Sequence, residues 1–284
     1  MDTALVVACI SGLVALASAA FSGWTQIQVS KRERANREEE RRSEAKVVLD
    51  RYRGPLLDAA WQLGDRVNNI RNRGFFAAYL YEGSGREQDA QRTTLFRFAY
   101  YLGWREHVRS QVQLLRFENE QDTRQVAAFL NDVTRALASD KPDGQQAMLW
   151  SDEQRGIGEL MTEQPPGASS IVRGHAAFHR DYDKIFAEWM ERFADGLFSL
   201  DVKSSNRLRL VQWALYGLVQ LLNEEGAYSG RWIEKSAQEI SAMPPPEDVT
   251  NHEQQLRKHL DVLKPSTSSS SATVTTPGHA LAGD

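Results

Sequence analysis

YRGPLLDAAWQLGDRVNNI, residues 52–70, decides the fold class. Its apolar residues Leu56, Ala60, Leu63, Val67 and Ile70 alternate steps of four and three, which places them on one face of a helix with about 3.6 residues per turn. A half-buried strand would alternate by two instead, and this stretch does not. Gly54-Pro55 just ahead of the run predicts that a new helix opens there, because proline suits a first turn, where its missing amide hydrogen costs nothing.

The same periodicity recurs downstream. Thr93 to Phe117 carries Leu95, Phe98, Leu102, Val108, Val112 and Leu115, an aromatic-rich pattern that predicts a central helix. Thr123 to Ala138 aligns Val126, Phe129, Leu130, Val133 and Leu137, with Asp122 ahead of Gln125 as a capping pair, and Lys141-Pro142-Asp143-Gly144 ends it. Ser151-Asp152-Glu153-Gln154 reads as a capping box for a short helix through Met161, closed by Pro165-Pro166-Gly167. Two further helices follow, one marked by Tyr182, Phe186, Trp189, Phe193 and Leu197, the other by Leu208, Val211, Leu215, Leu218 and Leu222 and stopping near Gly226. Residues 81–92 and 164–173 are the expected exposed loops, and Ala147 to Trp150 is the one expected extended piece. The fold class expected is all-α, with one helical bundle over residues 50–243.

Upstream of the bundle lies ALVVACISGLVALASAAFSGW, Ala4 to Trp24, an uncharged run of about 21 residues. At about 1.5 Å per residue it spans the ~30 Å hydrocarbon layer as a helix, so residues 1–25 are expected to be a transmembrane anchor. An export signal would begin with basic residues and carry a shorter apolar stretch, whereas only Met1, Asp2 and Thr3 precede this one. Val6-Val7-Ala8-Cys9 resembles a lipoprotein box, but too few apolar residues precede Cys9 for a signal core. Lys31, Arg32, Arg34 and Arg37 all follow the run, which predicts an outside N-terminus and a cytoplasmic body at the plasma membrane. Small residues four apart, Ala8/Gly12 and Ser11/Ala15/Ala19/Gly23, make a homodimer through this helix an expected partner arrangement. Residues 26–49 form a charged neck without Pro or Gly, with Glu33/Arg37 and Glu38/Arg42 spaced for helical ion pairs.

Beyond the bundle, residues 244–284 make a Pro/Ser/Thr-rich tail. Pro244-Pro245-Pro246 opens it and residues 265–284 are expected to be disordered. A short helix near 251–264, with Leu256, Leu260 and Leu263 on one stripe, is too short to stand alone and must dock on the body or on a partner.

A net charge of −4 argues against a general nucleic-acid binder, which needs a basic surface to displace counterions from phosphates. A single cysteine excludes intrachain disulfides and Cys-based zinc sites. His175 and His179, four apart, could face the same way and bind a metal if Asp181 or Asp183 converged on them, but the Glu that follows the first His in the zinc-protease motif is missing. His175, His179 and Asp183 are therefore the only metal candidates, and no catalytic residue, cofactor or metal is assigned. Gly156-Ile-Gly158 lacks the strand, third glycine and lysine of a phosphate loop and reads as a tight packing position. Trp61, Trp104, Trp150, Trp189, Trp213 and Trp232 read as core filling, with a ligand pocket as the alternative. Arg51, Arg53, Arg66, Arg71 and Arg73 suit either a solvated face or an anionic surface.

The anchor, the charged neck, RYRGPLLDAAWQLGDRVNNI and QRGIGELM, residues 154–161, together resemble a group of uncharacterised bacterial membrane-tethered helical proteins. That resemblance implies architecture and brings no activity or site residues. The expected function is a single-pass membrane protein in contact with the lipid bilayer and with protein partners, a scaffold or signalling accessory. The alternative is a membrane-tethered enzyme or ligand sensor with a pocket in the bundle, metal-assisted through His175 and His179.

Overall fold

The computed structural model describes residues 29–37, 51–80, 83–113, 121–164, 170–199, 205–223, 226–242 and 251–263, together with residues 26, 39 and 47. These are mostly helical, and the all-α class holds. Among the described residues no helix is long and apolar enough to cross a membrane. The expected anchor, the Glu38/Arg42 pair and the tail beyond residue 263 lie outside them. The described neck residues are helical and exposed, and Arg37 stands 4.0 Å from Glu33.

Helix α1 covers residues 51–73 without a break, so Gly54-Pro55 opens no new helix. Tyr52 meets the His107 ring edge-on at 4.8 Å between centroids, which packs the helical turn ahead of the proline against the bundle. Gly74, at φ 68°, turns the chain into α2, Phe75–Tyr79. Then come α3, Glu87–Gln113; α4, Gln121–Ala138; and α5, Ser151–Leu160. A two-stranded antiparallel ribbon pairs β1, Thr162–Glu163, with β2, Ile171–Val172, setting Thr162 opposite Val172. Helix α6, His175–Asp181, passes through a π-helical turn, Tyr182–Phe186, into α7, Ala187–Phe198. Helices α8, Asn206–Leu222, α9, Arg231–Ser241, and α10, Asn251–Val262, complete the bundle.

Several local expectations are corrected. The polar residues 87–92 form the first turns of α3 rather than loop, with Glu87 and Asp89 favourably placed near the positive end of the helix dipole. Helix α5 is capped one residue earlier than expected: Glu153 accepts the Trp150 amide at 2.7 Å, while Gln154 turns fully inward to donate to the carbonyls of Leu149 and Thr134. Ala147 to Trp150 joins no strand. Leu149 donates to the Leu137 carbonyl instead, and Ala147 sits at φ 50° against Gly196.

The pattern of burial explains the packing. Leu208, Val211, Leu215, Leu218 and Leu222 are all buried, and Gly217 lets α8 approach α4 so closely that a Cβ there would meet the Phe129 ring. Gly158 likewise brings α5 onto the Leu102 carbonyl of α3, which makes Gly156-Ile-Gly158 a close-packing segment. The tryptophans divide. Trp213 and Trp232 fill the core, the latter over Gly64, whereas Trp150 is 52 % and Trp189 39 % exposed. The π turn accounts for Trp189. Phe178, Tyr182, Phe186 and Met190 are buried at successive steps of four, which would drift about 40° per step in an α-helix; the wider turn absorbs the drift and puts Met190 inside where Trp189 was expected.

Two polar devices tie helices together. Arg207, fully buried, donates to the carbonyls of Ala136, Leu137 and Ser139 at the end of α4 and to those of Gly144 and Gln146 in the following loop, at 2.7–3.1 Å. Asp143 of that loop accepts the Asn206 and Arg207 amides and the Ser205 hydroxyl at the start of α8. Elsewhere Arg71, expected on the surface, reaches Gln212 at 2.6 Å and Glu239 at 3.2 Å, and Gln212 continues to Ser236, so α1, α8 and α9 share one network.

Helix α10 docks on α4 and α8. Leu256 and Leu260 are buried, Glu253 accepts from Arg209 and Arg257, and His259 Nδ1 lies 2.6 Å from the fully buried Asp132.

Arg207→Ala strands several buried carbonyls at about 1–3 kcal/mol each, so a loss of at least about 3 kcal/mol is expected in denaturant unfolding. Asp143→Ala removes hydrogen bonds at the start of α8 and leaves the Arg207 donors paired with their carbonyls, so a smaller loss of about 0.5–2 kcal/mol is expected. Equal losses would contradict the separate roles.

The docking of α10 should depend on pH. Burial holds the His252 imidazole below its usual value, against the opposite effect of the neighbouring Asp132. A depressed value stabilises the fold above the unfolded value of about 6.5, and that contribution is lost as pH falls through the folded value. Burial raises the Asp132 carboxyl despite the hydrogen bond from His259, and this contribution is lost in the opposite sense, as pH rises through the raised value. The two contributions oppose each other, so the test is a comparison: on acidification from about pH 7 to about pH 5, amide hydrogen exchange in α10 should speed up less, after correction for intrinsic rates, in His252→Gln than in the unsubstituted chain.

Candidate functional site

The polar first turns of α3 do not lie on the core but face the π turn and α7 across an open cleft of about 530 Å³. Gln88, Gln91, Arg92 and Leu95 form one wall; Tyr182, Asp183, Glu191, Asp195 and Phe198 belong to the other. A π turn widens the helix by one residue and commonly marks functional positions; here it carries Tyr182 and Asp183 into the cleft wall.

Arg92 organises this site. Its Nη2 donates to both carboxylate oxygens of Asp183, at 2.6 and 2.8 Å, and its Nη1 donates to the His179 carbonyl at 3.3 Å. The guanidinium stands 4.5 Å over the Tyr182 ring. Burial raises the Tyr182 phenol above its usual range, against the pull of Arg92.

The structure brings His175 and His179 together, with ring centroids 4.1 Å apart, and leaves the acids engaged elsewhere. Asp183 belongs to Arg92. Asp181 accepts from Arg173 at 3.1 Å and from Arg180 at 3.0 Å, and the Arg180 hydrogen bond holds its carboxyl below the usual range. Among the described residues no group of three His, Cys, Asp or Glu side chains is arranged to hold a metal ion. Burial first, then His175 and Arg92, lowers the His179 imidazole value, against the opposite effect of Asp89.

The cleft carries three carboxylates, Asp183, Glu191 and Asp195, against the one guanidinium of Arg92. Arg92 is already committed to Asp183, and neither Glu191 nor Asp195 makes an ion pair among the described residues. Ser199, also in the wall, donates to the Asp195 carbonyl at 2.6 Å rather than to a base. Such a surface suits a cationic, hydrogen-bonding guest and lacks a nucleophile paired with a base.

Arg92, Glu191 and Asp195 were not singled out from the sequence. The available signal was EQDAQR, residues 87–92, free of Gly and Pro with acids at its start, which is the composition of a helix N-terminus.

His179 should titrate below about 6.5 in a histidine NMR titration. Arg92→Gln, which removes a neighbouring positive charge and opens the site, should move that midpoint upward. An unperturbed midpoint in the unsubstituted chain would contradict this arrangement.

No protein-family model, curated protein or solved structure matches the chain, so its function rests on this geometry and on the sequence.

Proposed function

We propose that this chain is a single-pass membrane protein whose helical body binds a protein partner, as a scaffold or signalling accessory, by receiving a lysine or arginine of that partner in the cleft between α3 and α7. The apolar run Ala4 to Trp24 and the bases that follow it support the anchor, with the N-terminus outside and the body in the cytoplasm. The observation that carries the binding reading is Glu191 and Asp195, which make no ion pair among the described residues, in an open cleft whose lining base, Arg92, is already bonded. An exposed carboxylate pair costs little to keep in water and gives a basic side chain a preferred register and a faster approach.

The metal-assisted alternative has less support, because Arg92, Arg173 and Arg180 occupy the acids that would complete a site with His175 and His179.

A photo-crosslinking residue at Gln91, introduced into the full-length chain in native membranes, should capture a protein adduct. Glu191→Lys with Asp195→Lys should reduce its yield about tenfold or more, the scale of replacing attraction by repulsion at a docking site. An adduct indifferent to that reversal, or turnover of a substrate by the purified protein, would overturn the reading. A reporter fused after Asp284 should be active only in its cytoplasmic form, and an external signal would refute the orientation.

A further inference from the structure

On the opposite side of the first turns of α3 lies a second pocket, of about 180 Å³, between α1, α2 and α3. Arg66 of α1 lines it and is 7 % exposed. Its guanidinium lies 3.9 Å over the Phe75 ring, and its Nε and Nη1 are buried without a hydrogen-bond partner. The adjacent carboxylate is shared: Asp65 acts to raise the Arg66 value but lies 3.8 Å from Arg97 and accepts the Asn69 side-chain amide at 3.0 Å. Burial, and then the like charge of Arg97, lowers the Arg66 value to about 10, which leaves the group cationic at neutral pH.

A buried cation with Nε and Nη1 unpaired and only a shared carboxylate beside it is costly, and a fold that keeps one in a pocket wall retains a charge that a ligand can neutralise. The remaining walls indicate which ligand. Arg86 adds a second positive charge and Asp89 a negative one, so the pocket carries one net positive charge. Tyr79 and Ala90 supply apolar surface, and the volume is below the range of drug-sized sites. Inorganic phosphate also exists as a monoanion near neutral pH, so charge alone does not exclude it; the apolar surface of Tyr79 and Ala90 favours an organic monocarboxylate, which balances the charge and covers that surface.

We propose that this pocket binds a small organic monocarboxylate, with the carboxylate on Arg66 and the carbon body against Tyr79 and Ala90. The site is separate from the acidic cleft and opposite in charge, and it requires no partner protein. Bound carboxylate would neutralise a guanidinium whose Nε and Nη1 have no acceptor.

The test is the melting midpoint of the full-length chain in lipid nanodiscs, followed by tryptophan fluorescence with benzoate, with benzamide of the same shape but no charge, or with inorganic phosphate. Benzoate should raise the midpoint by about 2 °C or more, and benzamide and phosphate should not. Arg66→Met should abolish the benzoate shift without lowering the ligand-free midpoint, because it removes an unpaired charge while keeping an unbranched side chain over Phe75. Equal responses to benzoate and benzamide, a response to phosphate alone, or a benzoate shift that survives Arg66→Met would overturn the proposal. Should Arg66→Met fail to fold, Arg86→Glu at the exposed rim decides: a benzoate shift reduced at least about threefold supports the site, and an unchanged one refutes it.

Discussion

The bundle turns on one buried guanidinium. The C-terminus of α4 ends in carbonyls that its own helix cannot satisfy, and the packing of α8 shuts water away from them. Arg207 enters that space from the first turn of α8 with donors arranged in a rigid fork, and it serves α4 and the next loop together. Burial lowers its pKa while Asp143 and Asp140 act to restore it. Asp143, from the same loop, caps the positive end of α8, so the two helix ends compensate each other across a few ångströms. With this junction set, α4 and α8 form the surface on which α10 docks, and the strained φ of Ala147 becomes tolerable.

Much of this architecture could be read from apolar spacing alone. The expected faces of α1 and α8 are buried residue for residue, and that of α4 except for the half-buried Leu130, because in those helices the apolar stripe and the core coincide. Failures came where other physics decides. The first turns of α3 are polar except for Ala90, so a hydrophobic search begins the helix six residues late and loses both clefts with it. Helix α9 was missed because Trp232 and Ser236, its buried positions, are separated by charged residues and one of them is polar. A π turn obeys a different period, and Trp189 was accordingly placed on the wrong face. The histidine pair was found from its spacing, but no spacing rule could say that arginines from elsewhere in the chain would occupy the neighbouring acids.

One short polar segment thus separates two clefts of opposite character. On its α7 side the walls are acidic and open; on its α1 side a positive charge is enclosed. Arg92 and Asp89 stand on different faces of the same turns, which is how a single helix can present contrary charges a few residues apart.

The π turn has a further consequence for how this surface could change. It holds one residue more than a regular helix would, and the wide turn absorbs that residue locally. With any one of Asp183, Lys184 or Ile185 deleted, Phe178, Tyr182, Phe186 and Met190 would fall at steps of four, three and four, the spacing of a plain α-helix. Glu191 and Asp195 would then keep their side of the cleft. The acidic character of that wall is in this sense independent of the bulge, which shapes only the stretch that meets Arg92.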